Sequence, residues 1–158
     1  MSVEDQTVDK NRPARKTSKA QSVFTGIHTF FYRLSGGKMG GRLGKSPILL
    51  LITTGRKTGK PRPTPLFYLK DGDDLILVAS DGGSATHPTW WLNLQANPQA
   101  GVELGKKKLP VTARHADAEE SKRLWPLLVE MYAGYAGYQK KTIREIPLVI
   151  LSPRHKQE

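Results

Sequence analysis

The amino-acid sequence predicts a mainly β chain, an antiparallel barrel of about six strands with helices inserted between them. Three observations predict it. Short apolar runs of strand length, bounded by Gly, Pro and Asp, recur between residues 48 and 151. Most neighbouring runs are joined by tight turns, which fits a hairpin barrel better than a doubly wound sheet. Finally, 158 residues that are 37% hydrophobic supply one compact core rather than two, and no internal repeat divides them.

Taken in order, residues 1–20 hold five basic and three acidic side chains with only Val3 and Val8 as bulky apolar ones, and read as a disordered leader before one domain over 21–158. Val23, Phe24, Ile27, Phe30, Phe31 and Leu34 then fall on one helical stripe, with Ser22 as cap and Gly36-Gly37 as stop. This amphipathic helix reads either as a core-packed element or as a contact to a membrane surface. The segment 36–42 is too rich in glycine for regular structure. Strands are predicted at 48–54, 65–69 and 75–79, the last two joined by the hairpin turn Asp71-Gly72-Asp73. A helix follows over 88–97, started by Pro88 and closed by Asn97-Pro98. Two strands, 99–104 and 108–113, meet at the turn Gly105-Lys106. Asp117 to Glu120 is a capping-box start for a helix through Leu124, with Pro126 kinking it or beginning a second half. The last strand is 146–151.

Twenty-five Lys and Arg against 14 Asp and Glu give a formal charge of +11, and subtracting the leader leaves +9 on the rest. An anionic partner is expected: nucleic acid, an acidic membrane surface, or a ligand rich in phosphate and carboxylate. The absence of cysteine excludes disulfides, thiolate metal sites and cysteine nucleophiles. The four His show no metal-ligand spacing. With no signal-peptide pattern and no long apolar run, the expected compartment is the cytoplasm.

Three segments are candidates for chemistry. Gly55-Arg56-Lys57-Thr58-Gly59-Lys60-Pro61-Arg62 carries four cations and two glycines in eight residues, which suits an anion cradle but also a solvated basic hairpin. It does not match a Walker loop. Ala79-Ser80-Asp81-Gly82-Gly83-Ser84 ends a strand in a glycine-rich loop before a helix. Tyr132, Tyr135 and Tyr138 stand at i, i+3, i+6; on a helix they could line one wall, and the Ala and Gly between them would leave the rings uncovered, as in a mobile lid. The same tyrosines fit ordinary half-buried packing. Trp90 and Trp91 read as core anchors or as a cofactor platform. No serine-histidine-acid arrangement is recognisable, so an enzyme here would rely on a bound organic cofactor.

Taken together, the 55–62 motif, Asp71-Gly72, Ala79-Ser80-x-Gly82-Gly83, Pro88-x-Trp90-x-Leu92-Asn93-Leu94-x-Ala96-Asn97-Pro98, Thr112-Ala113-Arg114, and Trp125-Pro126 through Tyr138 resemble the deazaflavin-dependent nitroreductase family of actinobacteria, in order and spacing. The resemblance covers about residues 22–153. It implies an FMN-binding-like split β-barrel that uses reduced coenzyme F420 and passes a hydride to quinones, or in some members to nitroaromatic compounds. It further implies that Arg56, Lys57, Thr58 and Arg62 hold the anionic tail. Pro65, Leu66 and Phe67, with Ala79, Ser80 and Asp81, would contact ring and linker, and the Trp90, Trp91 and Asn93 turn would close the site. Tyr132, Tyr135 and Tyr138 resemble the substrate-side tyrosines, Tyr135 also bordering the cofactor, and Ser80 would hydrogen-bond acceptor or ring. Two positions depart from the best-known pattern: Asp81 replaces a Lys, so its contact would be through the backbone, and Trp91 replaces a Tyr. An FMN-binding split-barrel reductase and a basic nucleic-acid-binding barrel without catalysis are the alternative readings. The first helix and the leader keep a peripheral contact with an anionic membrane open.

Overall fold

The computed structural model describes residues 42–43 and 46–155. The leader, the amphipathic helix predicted from residue 22 and nearly all of the 36–42 loop lie outside the described residues. Within them run the strands β1 (Arg42–Leu43), β2 (Ser46–Thr54), β3 (Pro61–Phe67), β4 (Leu69–Asp71) and β5 (Asp74–Val78), then helix α1 (Thr89–Ala96). Strands β6 (Gln99–Leu104) and β7 (Lys107–His115), helices α2 (Ala118–Met131) and α3 (Gly134–Lys140), and strand β8 (Leu148–Pro153) complete them. A short 3-10 turn occupies Asp81–Gly83.

Every pairing is antiparallel, in the order β1-β2-β6-β7-β8-β5-β4, with β3 also paired to β2. β3 pairs with β2 and β4 with β5, yet only Tyr68 separates β3 from β4. One bent segment therefore belongs to both edges, and the sheet curls back on itself as a barrel. The predicted barrel is present, with more strands than expected.

The strand that begins at Pro61 corrects the expected start at Pro65, and it places Arg62 on a strand rather than in a loop. Pro61, Pro63 and Pro65 alternate along it. Residues two apart in a strand direct their backbone groups to the same side, so all three missing N–H groups fall on the edge away from β2. A strand with a single partner tolerates this.

Alternation along β5 and β8 explains their unbroken apolar runs. Leu75, Leu77, Val149 and Leu151 face the barrel interior with Leu49, Leu51 and Val102, whereas Ile76, Leu148 and Ile150 face outward against Leu124 and Leu128 of α2. Both faces are covered, so neither can be polar.

Helix α2 starts at the predicted capping box, with Glu120 N donating to Asp117 Oδ1 at 2.8 Å and Asp117 N to Glu120 Oε1 at 3.2 Å. It does not stop near Leu124 but continues through Pro126 to Met131. Proline removes one helix bond there; the apolar stripe of Leu124, Trp125, Leu128 and Val129 packing on the sheet offsets that loss.

Candidate functional site

The register brings two of the three candidate segments to one end of the barrel. Thr54 pairs with Pro61 and Ile52 with Gly101, while Val78 pairs with Leu148 and His115 with Val149. The 55–60 turn, the start of β6 beyond α1, and the loop leaving β5 at Ala79 therefore emerge together.

The turn is closed by Gly55 N donating to Lys60 O at 2.8 Å and Gly59 N donating to Gly55 O at 2.7 Å. A Cβ on Gly55 would stand 2.9 Å from Thr58 Oγ1 and 3.2 Å from Lys60 O, so the turn requires glycine there. Thr58 Oγ1 accepts from Lys60 N and from Arg62 Nη2, both at 3.3 Å. The fully buried Asn93 of α1 anchors the turn from below: its Oδ1 accepts from Arg56 N at 3.1 Å and Arg56 Nη1 at 3.2 Å, and its Nδ2 donates to Thr53 Oγ1 at 3.2 Å. Asn93 thus preorganises Arg56. Arg56, Lys57, Lys60 and Arg62 are exposed, and among the described residues none pairs with a carboxylate. Three of these cations on the constrained turn and Arg62 at the start of β3 form a surface suited to an anion. Beside it, Thr54, Gly59, Pro61, Gln99 and Arg154 line an open groove of about 300 Å³ that adds one further cation.

From Arg62 the half-buried residues Pro65, Leu66 and Phe67 lead along β3 to the second part of the site. At about 3.3 Å per residue, Phe67 stands roughly 17 Å beyond Arg62. The Phe67 ring packs on Tyr132, centroids 5.0 Å apart and planes at 47°.

The three tyrosines meet, but not on one helix. Tyr132 caps the end of α2 with extended dihedrals, φ −143° and ψ 99°, and Tyr135 and Tyr138 belong to α3. The expected uncovered lid is corrected too. Tyr132 and Tyr135 lie edge-to-face at 4.9 Å, and Tyr135 is buried. Gly134 accommodates the Tyr132 ring, which a Cβ would meet at 2.7 Å. Gly134 therefore seats the Tyr132 ring rather than exposing it. The hydroxyls of Tyr132 and Tyr138 share a hydrogen bond of 2.8 Å. That bond, followed by burial, raises the Tyr138 pKa above its ordinary 10.0. Burial raises that of Tyr135 further, so both stay protonated at neutral pH.

On the other side, Ala79 belongs to the inner core, and Ser80 is buried with φ −81° and ψ −34°. Asp81 is exposed at φ 45°, a left-handed conformation uncommon for a residue with a side chain. Trp90 and Trp91 pack in the inner core, where their rings act as anchors. The residue missed from the sequence is Arg144, between α3 and β8. It binds the Ala79–Ser84 backbone, and since its partners are main-chain carbonyls no motif marks it.

The family model for F420H(2)-dependent quinone reductase matches residues 25–153 of the chain. An F420H(2)-dependent quinone reductase of Mycobacterium tuberculosis is 42% identical over 132 residues, covering 81% of this chain and 89% of that protein. Among solved structures, an F420-H2 dependent reductase is similar at TM-score 0.63 and 46% identity, over 67% of this chain and 94% of its own. The heme storage protein HutZ of Vibrio cholerae, at 16% identity and TM-score 0.53 over 68% of this chain and 82% of its own, shares the fold alone.

Proposed function

The chain belongs to the F420H(2)-dependent quinone reductase family, and from that premise we propose that it reduces a quinone, and nitroaromatic compounds as a second acceptor class, with reduced coenzyme F420. The observation that carries the reading is the layout around β3: at its start four cations with no carboxylate partner among the described residues, and roughly 17 Å further on Phe67 packed on Tyr132 of the hydroxyl pair, which matches an elongated cofactor with an anionic tail and a planar ring. Bound there, the reduced deazaflavin supplies the hydride. Arg56, Lys57, Thr58 and Arg62 hold the tail, with Arg56 already oriented by Asn93. Pro65, Leu66 and Phe67 border the ring and linker. The acceptor oxygen would gain negative charge on accepting the hydride and need a proton, and the hydrogen-bonded Tyr132–Tyr138 pair supports the reading that these hydroxyls give it. Ser80, buried and with no partner for its hydroxyl among the described residues, is a second donor. The same donors suit the oxygens of a nitro group. Steady-state oxidation of F420H2 by a water-soluble quinone tests the reading; no consumption above background removes it.

Tyr132→Phe and Tyr138→Phe should each lower kcat by about tenfold to a hundredfold, with the cofactor Kd within twofold of wild type. Because the two hydroxyls share one bond, the double variant should be scarcely worse than either single one. Additive losses would separate their roles. The hydrogen bond with Tyr132, and then burial, raise the Tyr138 pKa, so the alkaline limb of kcat should lie at higher pH than an unperturbed tyrosine would give.

Among the described residues no helix is long and apolar enough to cross a membrane. A peripheral position is supported by Ile143, fully exposed between α3 and β8 and preceded by the exposed Lys140 and Lys141, close in sequence to Tyr138. An apolar side chain beside two cations suits an anionic lipid face, where quinones dissolve. Ile143→Ser in the full chain should reduce sedimentation with phosphatidylglycerol vesicles by about tenfold, and equal sedimentation would dismiss this contact.

A further inference from the structure

Arg144 collects an unusual set of partners. Its Nη2 donates to Ser80 O at 2.8 Å, its Nη1 to Ala79 O at 3.2 Å, and its Nε to Ser84 O at 2.9 Å. Nη1 also lies 3.3 Å from His87 Nδ1, which accepts from it in the neutral imidazole. Burial and the charge of Arg144 both lower the His87 pKa, which keeps that acceptor available. Three carbonyl oxygens within six residues converge on one planar cation, an arrangement that a guanidinium fork satisfies and an ammonium does not.

The two closest to Ser80 decide the consequence. The carbonyl of Ala79 belongs to the peptide plane before Ser80, and that of Ser80 to the plane after it. All peptide bonds described are trans, and a peptide unit is rigid. Binding both carbonyls fixes both planes and hence the φ and ψ of Ser80. With φ and ψ fixed, the Cα–Cβ direction is fixed. The residue beyond needs such support, because Asp81 follows at φ 45°, a left-handed conformation that is costly for a residue with a side chain. The Ser80 side chain itself makes no hydrogen bond among the described residues, so nothing else aims it.

Resting on the reading that Ser80 faces the acceptor, we propose that Arg144 is a positioning residue for the reaction: by holding both peptide planes that flank Ser80, it points the serine hydroxyl at the acceptor. The tail-binding turn lies on other elements and is not touched by Arg144. Its effect is therefore chiefly on turnover, with the tail's share of cofactor affinity left intact.

The experiment is a double-mutant cycle of Arg144→Lys and Ser80→Ala. It measures kcat, the acceptor KM, the Kd for oxidised F420 by deazaflavin fluorescence, and Tm. Arg144→Lys keeps the charge but not the fork, and should lower kcat by about tenfold with the Kd within twofold. In the Ser80→Ala background the same substitution should lower kcat by less than twofold. An equal fall in both backgrounds, or a fall in Tm with kcat unchanged, makes Arg144 a structural brace and overturns the proposal. If Ser80→Ala alone keeps full turnover, the role given to Ser80 fails with it, whereas an impaired Ser80→Ala beside a fully active Arg144→Lys refutes only the present inference.

Discussion

Arg56→Ala is expected to weaken binding of oxidised F420 by roughly tenfold to a hundredfold, read as a shift in a fluorescence-quenching titration. A charge-assisted hydrogen bond to an anion contributes about 1.5–3 kcal/mol, and the effect here should approach the upper half because Arg56 is preorganised. Its backbone N and its Nη1 both donate to Asn93 Oδ1, and Asn93 is in turn fixed to Thr53. The guanidinium retains further N–H groups for the ligand. Two controls make the result specific. Asn93→Ala removes the tether and not the charge, so it should weaken binding in the same direction but by less. Raising the ionic strength should compress the difference between wild type and Arg56→Ala, since what is lost is largely electrostatic. A Kd for Arg56→Ala within twofold of wild type would show that the tail lies elsewhere, with the Arg154 groove the next place to look.

The same turn shows what a sequence can disclose. The cradle was legible because its chemistry resides in charged side chains that are neighbours along the chain. The strands over Leu75–Val78 and Leu148–Leu151 were legible because burial on both faces forces an apolar run. The first half of β3 was not. Pro61 and Pro63 signal a turn when read singly, and only pairing with β2 on one side reveals that the missing N–H groups fall on an edge. The tyrosine spacing was visible and its geometry was not, because periodicity assumes one continuous helix and the chain breaks at Tyr132. Arg144 left no signal at all. Its partners lie 57 to 65 residues away and are mostly backbone carbonyls, which every residue type supplies alike. The parts of the site that resist reading are those where one side chain meets main chain across the fold.

That distinction can be tested at the junction between the Ser80 loop and the tyrosine cluster, where two adjacent glycines should behave differently. Both hold left-handed dihedrals, Gly82 at φ 64° and Gly83 at φ 80°. A side chain there costs about 1 kcal/mol in backbone strain alone. Around Gly82 nothing lies within 4 Å of a new Cβ, so Gly82→Ala should show only that cost. At Gly83 the added carbon would stand 2.7 Å from Tyr138 O and 3.0 Å from Tyr138 Cα and Lys141 Cβ. Two of those three atoms are backbone, so α3 must shift for the methyl group to fit, and Tyr138 shifts with it. Since Tyr138 OH shares its hydrogen bond with Tyr132, the proton-donating pair is displaced with it. Gly83→Ala should therefore lower kcat by about tenfold to a hundredfold and lower Tm by more than Gly82→Ala does, with the cofactor Kd nearly unchanged because the 55–62 turn is remote from α3. Equal turnover in the two variants would mean that the loop and the tyrosines do not act as one unit, and the proton-donating role would then pass to Ser80 alone.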